Sequence, residues 1–152
     1  MAKAAAGELS DWQMTPSGRL ALILLTDQFP RNIYRDSPRA FALGSKALAV
    51  CLDGIKSDFD VKLRPIERVF FYLPLEHAES LRHQEQSVNL FRELAESATG
   101  NQKTLFGEYL DCAVRHRDIV ARFGRFPHRN KILERESTAE EIAFLAEPDS
   151  SF

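Results

Sequence analysis

Thr15-Pro16-Ser17-Gly18-Arg19-Leu20-Ala21-Leu22-Ile23-Leu24-Leu25 is the stretch that decides the fold. Thr15 is a good N-cap, and Pro16 suits the first helical position, where its missing N–H costs nothing. The run through Leu20, Leu22, Ile23, Leu24 and Leu25 is apolar nearly all round. Such a helix belongs in the middle of a bundle. Pro30 is expected to end it, because the residue before a proline is pushed out of the α region. The start signal returns at Asp36-Ser37-Pro38 and predicts a second helix with Phe41, Leu48, Cys51, Leu52 and Ile55 on one face.

Pro65 opens a short helix with Ile66, Val69, Phe70 and Leu73 inward. Pro74 interrupts it, and a longer helix extends through Leu81, Val88, Leu90, Phe91 and Leu94 to a stop at Ala98-Thr99-Gly100-Asn101. A further helix over 102–123 places Phe106, Tyr109, Leu110, Ala113, Val120 and Phe123 on one stripe. Ser137-Thr138-Ala139-Glu140 reads as a capping box for a last short helix ending near Leu145. No segment alternates as a strand would, and no hairpin dipeptide occurs. Helices of these lengths with short connections imply antiparallel hairpins. The expected architecture is all-α, about six helices in one domain over residues 15–147, with 1–14 frayed and 148–152 a tail.

A chain of 152 residues can bury a core without staples. Its net charge of −2 gives no argument for nucleic acid or for an anionic membrane. The run Leu20–Leu25 is too short to span a bilayer, and the N-terminus lacks the apolar segment of a secretory signal. Cys51 and Cys112 fall inside predicted helices and read as small buried apolar residues of a reducing compartment, so a cytoplasmic location is expected.

The polar chemistry concentrates in Arg122-Phe123-Gly124-Arg125-Phe126-Pro127-His128-Arg129-Asn130, with a shorter echo at Gln28-Phe29-Pro30-Arg31-Asn32. The two loops are expected to meet and build one site. From Arg115 to Arg135 six arginines and one lysine face only Asp118 and Glu134. Arginine offers the planar fork that suits carboxylate or phosphate. The ligand-binding candidates are Asp27, Gln28, Arg31, Asn32, Glu79, Arg125, Arg129 and Asn130. The structural alternative pairs Arg125 and Arg129 with Glu76, Glu79 or Asp27 in a buried ion-pair network.

His116 lies on the buried stripe of its helix, seven residues after Tyr109 and four before Val120. His77, four before Leu81, also looks inward. Together with Glu76 and His128 these are the catalytic candidates. Glu76 and Glu79 are expected in the first turn of the long helix, where a carboxylate is favoured by the free N–H groups. Glu79 and His83 could touch one metal, but two ligands make no site, so neither a metal nor a cofactor is expected.

Thr26-Asp27-Gln28-Phe29-Pro30-Arg31-Asn32, Leu73-Pro74-Leu75-Glu76-His77-Ala78-Glu79 and Phe123-Gly124-Arg125-Phe126-Pro127-His128-Arg129-Asn130 occur in order. On these signatures the chain resembles the bacterial "domain of unknown function 924" family over residues 9–152. The resemblance implies an all-helical fold similar to stacked tetratricopeptide-type hairpins, although no such repeat is visible in the sequence. It also implies a further helix upstream, bearing a Phe-Trp motif, that this chain lacks. Glu134 stands where the family pattern expects a glycine after Ile132-Leu133, so a different turn is expected there. The family carries over no activity.

Three alternative functions are expected. The first is a binding module whose arginines and asparagines hold a small anionic molecule or a carboxylate-bearing peptide. The second is a small hydrolase or transferase using His/Glu acid–base chemistry on an anionic substrate. The third is a purely structural network.

Overall fold

The computed structural model describes residues 1–148 and Ser150, and every regular element among them is helical. Helix α1 (Ala2–Ala6) and a 3-10 segment (Ser10–Met14) make up the N-terminal stretch expected to fray, and Ala4 is buried in the main core. Helix α2 (Pro16–Ile23) starts as anticipated, with the Thr15 hydroxyl accepting from the Gly18 N–H.

Pro30 does not end this helix. The chain widens into a π-turn (Leu24–Gln28) and continues as α3 (Phe29–Ile33), with Phe29 itself at α-helical φ and ψ. A proline ring clashes with the carbonyl four residues back, and a wider turn placed just before it relieves that clash. The Thr26 hydroxyl donates to the Leu22 carbonyl at the same point. Ser37 and Pro38 open only a 3-10 turn (Pro38–Ala40); the second long helix, α4, begins later, at Gly44, and runs to Lys56. Its fully buried residues are Ala47, Val50, Cys51 and Gly54, and Leu48, Leu52 and Ile55 of the expected face pack partly buried against the same core. Gly54 is where α4 meets α5: a Cβ there would lie 2.5 Å from the Phe71 ring.

After a 3-10 turn (Asp60–Lys62), α5 (Pro65–Glu76) passes straight through Pro74. Val69, Phe71, Tyr72 and Leu75 face the core, whereas Phe70, expected inward, is exposed. Helix α6 (Leu81–Ser97) then folds back, and its buried Gln84 donates to the Glu76 and Ala78 carbonyls at 2.5 and 2.8 Å. One side chain of α6 thus satisfies carbonyls left open at the end of α5. Helix α7 (Gln102–Phe123) stops at Gly124, whose φ of 70° is the left-handed conformation that terminates helices. A 3-10 turn (Pro127–Arg129) leads to α8 (Ala139–Leu145).

Short connections fold α5, α6 and α7 back on one another, and α4 packs between α2 and α5. The main core joins Ile23, Cys51, Phe71, Tyr72, Phe91, Leu94 and Phe106, with Tyr72 edge-on to Phe91. A smaller cluster of Ile119, Val120 and Phe126, backed by Phe123 and Phe144, seats the C-terminal loop. No described helix is long and apolar enough to cross a membrane.

Glu134 adopts φ 54°, the left-handed conformation a glycine would take, so the turn survives the side chain. Left-handed backbone costs a non-glycine residue about 1 kcal/mol. Glu134→Gly is therefore expected to raise the unfolding free energy by about 0.5–1 kcal/mol in urea denaturation. A loss of stability would show that the Glu134 side chain holds the turn.

Candidate functional site

The π-turn fixes the site, because it carries Asp27 into the interior, where its carboxylate is 1% exposed. Three donors converge on it: Gln28 Nε2 at 2.7 Å, Arg31 Nε at 2.9 Å and His77 Nδ1 at 2.8 Å. Burial alone would raise the Asp27 pKa, but His77 and Arg31 more than offset it, and the group is held well below the usual carboxylate range. Burial also lowers the His77 pKa, against the pull of Asp27. The pair is thus an ionised carboxylate accepting from the Nδ1–H of a neutral imidazole, balanced by Arg31.

Arg129 packs beside this group. Its guanidinium lies 4.2 Å from the Phe126 ring centroid and 5.1 Å from that of Phe41, and Nη1 donates to the His77 carbonyl at 2.9 Å. The residue is buried, its Nε has no hydrogen-bond partner among the described residues, and no described carboxylate forms an ion pair with it. Burial, then the nearby Arg31, lowers its pKa to about 9.

Arg31, Asn32, Arg35, Phe41, His77, His116, His128 and Arg129 line a cleft of about 630 Å³. A smaller hollow of about 390 Å³ shares Arg31, Phe41, His77 and Arg129 and extends to His83. Burial brings the His116 pKa down to about 3, and burial with Arg129 brings that of His128 to about 4. All three cleft histidines are neutral near pH 7, and the other ionisable side chains lining the cleft are three arginines, Arg31, Arg35 and Arg129, against one carboxyl group, Asp36.

The other candidates are occupied elsewhere. Arg125 grips Glu141 with two bonds, Nε to Oε1 at 2.7 Å and Nη2 to Oε2 at 2.8 Å. Glu79 accepts from the Phe126 N–H at 2.9 Å and from Arg135 at 2.6 and 2.9 Å. With its oxygens so taken, Glu79 is not available to share a metal with His83. Asn130 donates to Ser137 Oγ at 3.0 Å and accepts from Arg135 Nε at 3.0 Å. The capping box accordingly falls one residue later than expected, on Thr138 and Glu141, since the Ser137 hydroxyl serves Asn130.

Glu141 gives this clamp a pH dependence. The Arg125 hydrogen bonds hold its pKa at about 2, from an ordinary 4.5. A carboxylate depressed on folding stabilises above its unfolded pKa, and that gain is lost as pH falls through the folded value. The difference in Tm between wild type and Glu141→Gln is therefore expected to be constant above pH 4.5 and to shrink toward pH 2. A difference unchanged down to pH 2 would show that the charge of Glu141 does not matter.

Glu76 and His116 form a separate group with Cys112. Glu76 is the last residue of α5, not the start of the next helix, so its carboxylate lies at the unfavourable end of the helix dipole. Burial raises its pKa to about 7. Cys112, expected to be an apolar core residue, is half-buried with its Sγ 3.6 Å from Glu76 Oε1 and 3.7 Å from His116 Nδ1. Burial and then Glu76 push its thiol pKa up. The i, i+4 spacing of Cys112 and His116 was available as a signal; nothing in the spacing announced Arg135 or Phe41.

The chain is similar to the solved structure of a protein of unknown function from Agrobacterium tumefaciens, with 42% identity and a TM-score of 0.83 over 95% of this chain and 76% of that one. No curated protein matches it significantly. The family model described as "Bacterial protein of unknown function (DUF924)" matches residues 1–149, and the chain belongs to that family.

Proposed function

We propose that the cleft binds a small anionic molecule through Arg129, with Arg31 and Arg35 completing a positive wall. The observation that carries this reading is the state of Arg129. A buried guanidinium without a paired carboxylate is costly, and a ligand carboxylate or phosphate relieves that cost through the forked geometry arginine offers. Phe41 and Phe126 hold the guanidinium plane in place before any ligand arrives. The volume of about 630 Å³ falls in the range of small-molecule sites.

The test is thermal unfolding of the full chain against inorganic phosphate and a series of mono- and dicarboxylates. A ligand specific to the folded state adds about 2.7 kcal/mol at a hundredfold excess over Kd. The expected result is a concentration-dependent rise in Tm from one anion class, abolished in Arg129→Gln. A rise that survives Arg129→Gln, or no rise with any anion, overturns the reading and leaves Arg129 a structural residue.

A second reading, turnover of the bound anion, is favoured by one feature: Asp27 fixes the His77 ring through Nδ1, an arrangement that suits a general base. On that reading His77→Gln eliminates turnover while anion affinity persists.

A further inference from the structure

We propose that Glu76, Cys112 and His116 form a binding site for a divalent transition metal of the zinc type. The inference stands apart from the anion reading, since none of its three ligands is an arginine of the cleft. Glu76 Oε1 and His116 Nδ1 are 3.3 Å apart, and Cys112 Sγ is 3.6 Å from the first and 3.7 Å from the second. Tetrahedral zinc with ordinary bond lengths separates an oxygen and a nitrogen ligand by about 3.3 Å, and a sulfur from either by about 3.6 Å. The three donor atoms already stand at the corners such an ion requires.

Two further features favour a cation at this place. First, several polar atoms crowd one ring nitrogen. Here the thiol, the carboxylate and the Cys112 carbonyl, which lies at 2.9 Å, all converge on Nδ1. Moving the ring proton to Nε2 turns the Nδ1 lone pair toward the same point as the thiol and the carboxylate, which suits one central cation. Second, Glu76 is a buried carboxylate at the negative end of α5, with His116 Nδ1 at 3.3 Å and the Arg115 charge nearby. A dication with a thiolate, a carboxylate and a neutral imidazole is electrically neutral, which suits a buried centre.

Loading balances simply. The Cys112 thiol proton leaves to solvent, the His116 proton moves from Nδ1 to Nε2, and three metal–ligand bonds form with no change of oxidation state. No fourth His, Cys, Asp or Glu joins the group among the described residues, and His116 lines the cleft. The remaining coordination position therefore falls to water or a cleft ligand. The mixed sulfur, nitrogen and oxygen set selects zinc or cobalt over magnesium and calcium.

The experiment titrates the metal-free full chain with Co²⁺ and follows absorption. The expected result is a thiolate-to-Co²⁺ charge-transfer band with tetrahedral ligand-field bands, saturating at one metal per chain and displaced by Zn²⁺. Cys112→Ser should lose the charge-transfer band, Cys51→Ser should keep it, and Glu76→Gln should weaken binding at least tenfold. Circular dichroism checks that each variant is folded. Should Cys112→Ser unfold, the wild-type and Cys51→Ser spectra still decide. Absence of a charge-transfer band in wild type, or its loss in Cys51→Ser, overturns the proposal.

Discussion

Asp27→Ala is expected to destabilise the protein by about 3–5 kcal/mol, the largest effect of any single polar substitution at the site. Asp27 is 1% exposed and accepts hydrogen bonds from Gln28, Arg31 and His77. Removing the carboxylate leaves the half-buried Arg31 guanidinium uncompensated next to Arg129, so two like charges then face each other without their common counter-ion. Urea denaturation should report the loss, and Tm should fall by roughly 10 °C. The contribution has a definite pH signature. The folded-state pKa of Asp27 lies below the ordinary 3.8, so the gap between wild type and variant is full above that value and shrinks progressively as pH falls below it. A loss under 1 kcal/mol would mean that water replaces the carboxylate and that the three donors do not depend on it.

The second large effect is at Arg135. Its guanidinium meets both oxygens of Glu79, donates to the Phe126 carbonyl at 3.2 Å and donates to Asn130 through Nε. Glu79 in turn accepts from the Phe126 N–H. This one pair ties the loop after α7 to the turn between α5 and α6, and so sets where Arg129 stands. Arg135→Ala is expected to cost about 2–3 kcal/mol, the range for hydrogen bonds to charged groups. The pair is about one-quarter exposed on each side, which keeps the figure below that for Asp27. In a double-mutant cycle, Glu79→Ala and Arg135→Ala should couple by about 1–3 kcal/mol. Additive losses would show that the two act through separate neighbours.

Helix α7 shows what was legible in the chain. Gly100 and Asn101 before it and Gly124 after it are strong punctuation, and its bounds match the expectation of 102–123. His116 was placed correctly on the buried stripe for the same reason, since period alone settles a long helix. The prolines misled because their effect is decided by neighbours. A π-turn accommodates Pro30, and α5 runs on through Pro74 to an end capped by a glutamine from α6. Misplacing that end by a few residues turned Glu76 from the close of one helix into the opening of the next. That Arg31 and Arg129 line one cleft was legible, although the stretch 28–32 is helical and not the expected loop. The division of labour was not, because the partner of Asp27 lies fifty residues away and that of Glu79 fifty-six. Contacts at such separations leave no periodic trace.

The π-turn has a consequence for how the first helical run can change. One surplus residue in a helix advances everything beyond it by about 100°. Helices α2 and α3 therefore run on from one another out of phase. Leu22 and Ile23 keep time with the hydrophobic core, whereas Arg31 keeps time with the cleft. The turn works as a clutch between two rotors: closing it to a regular α-turn with every residue kept would swing Arg31 away from the cleft, whereas deleting one residue would remove the surplus and leave Arg31 where it stands.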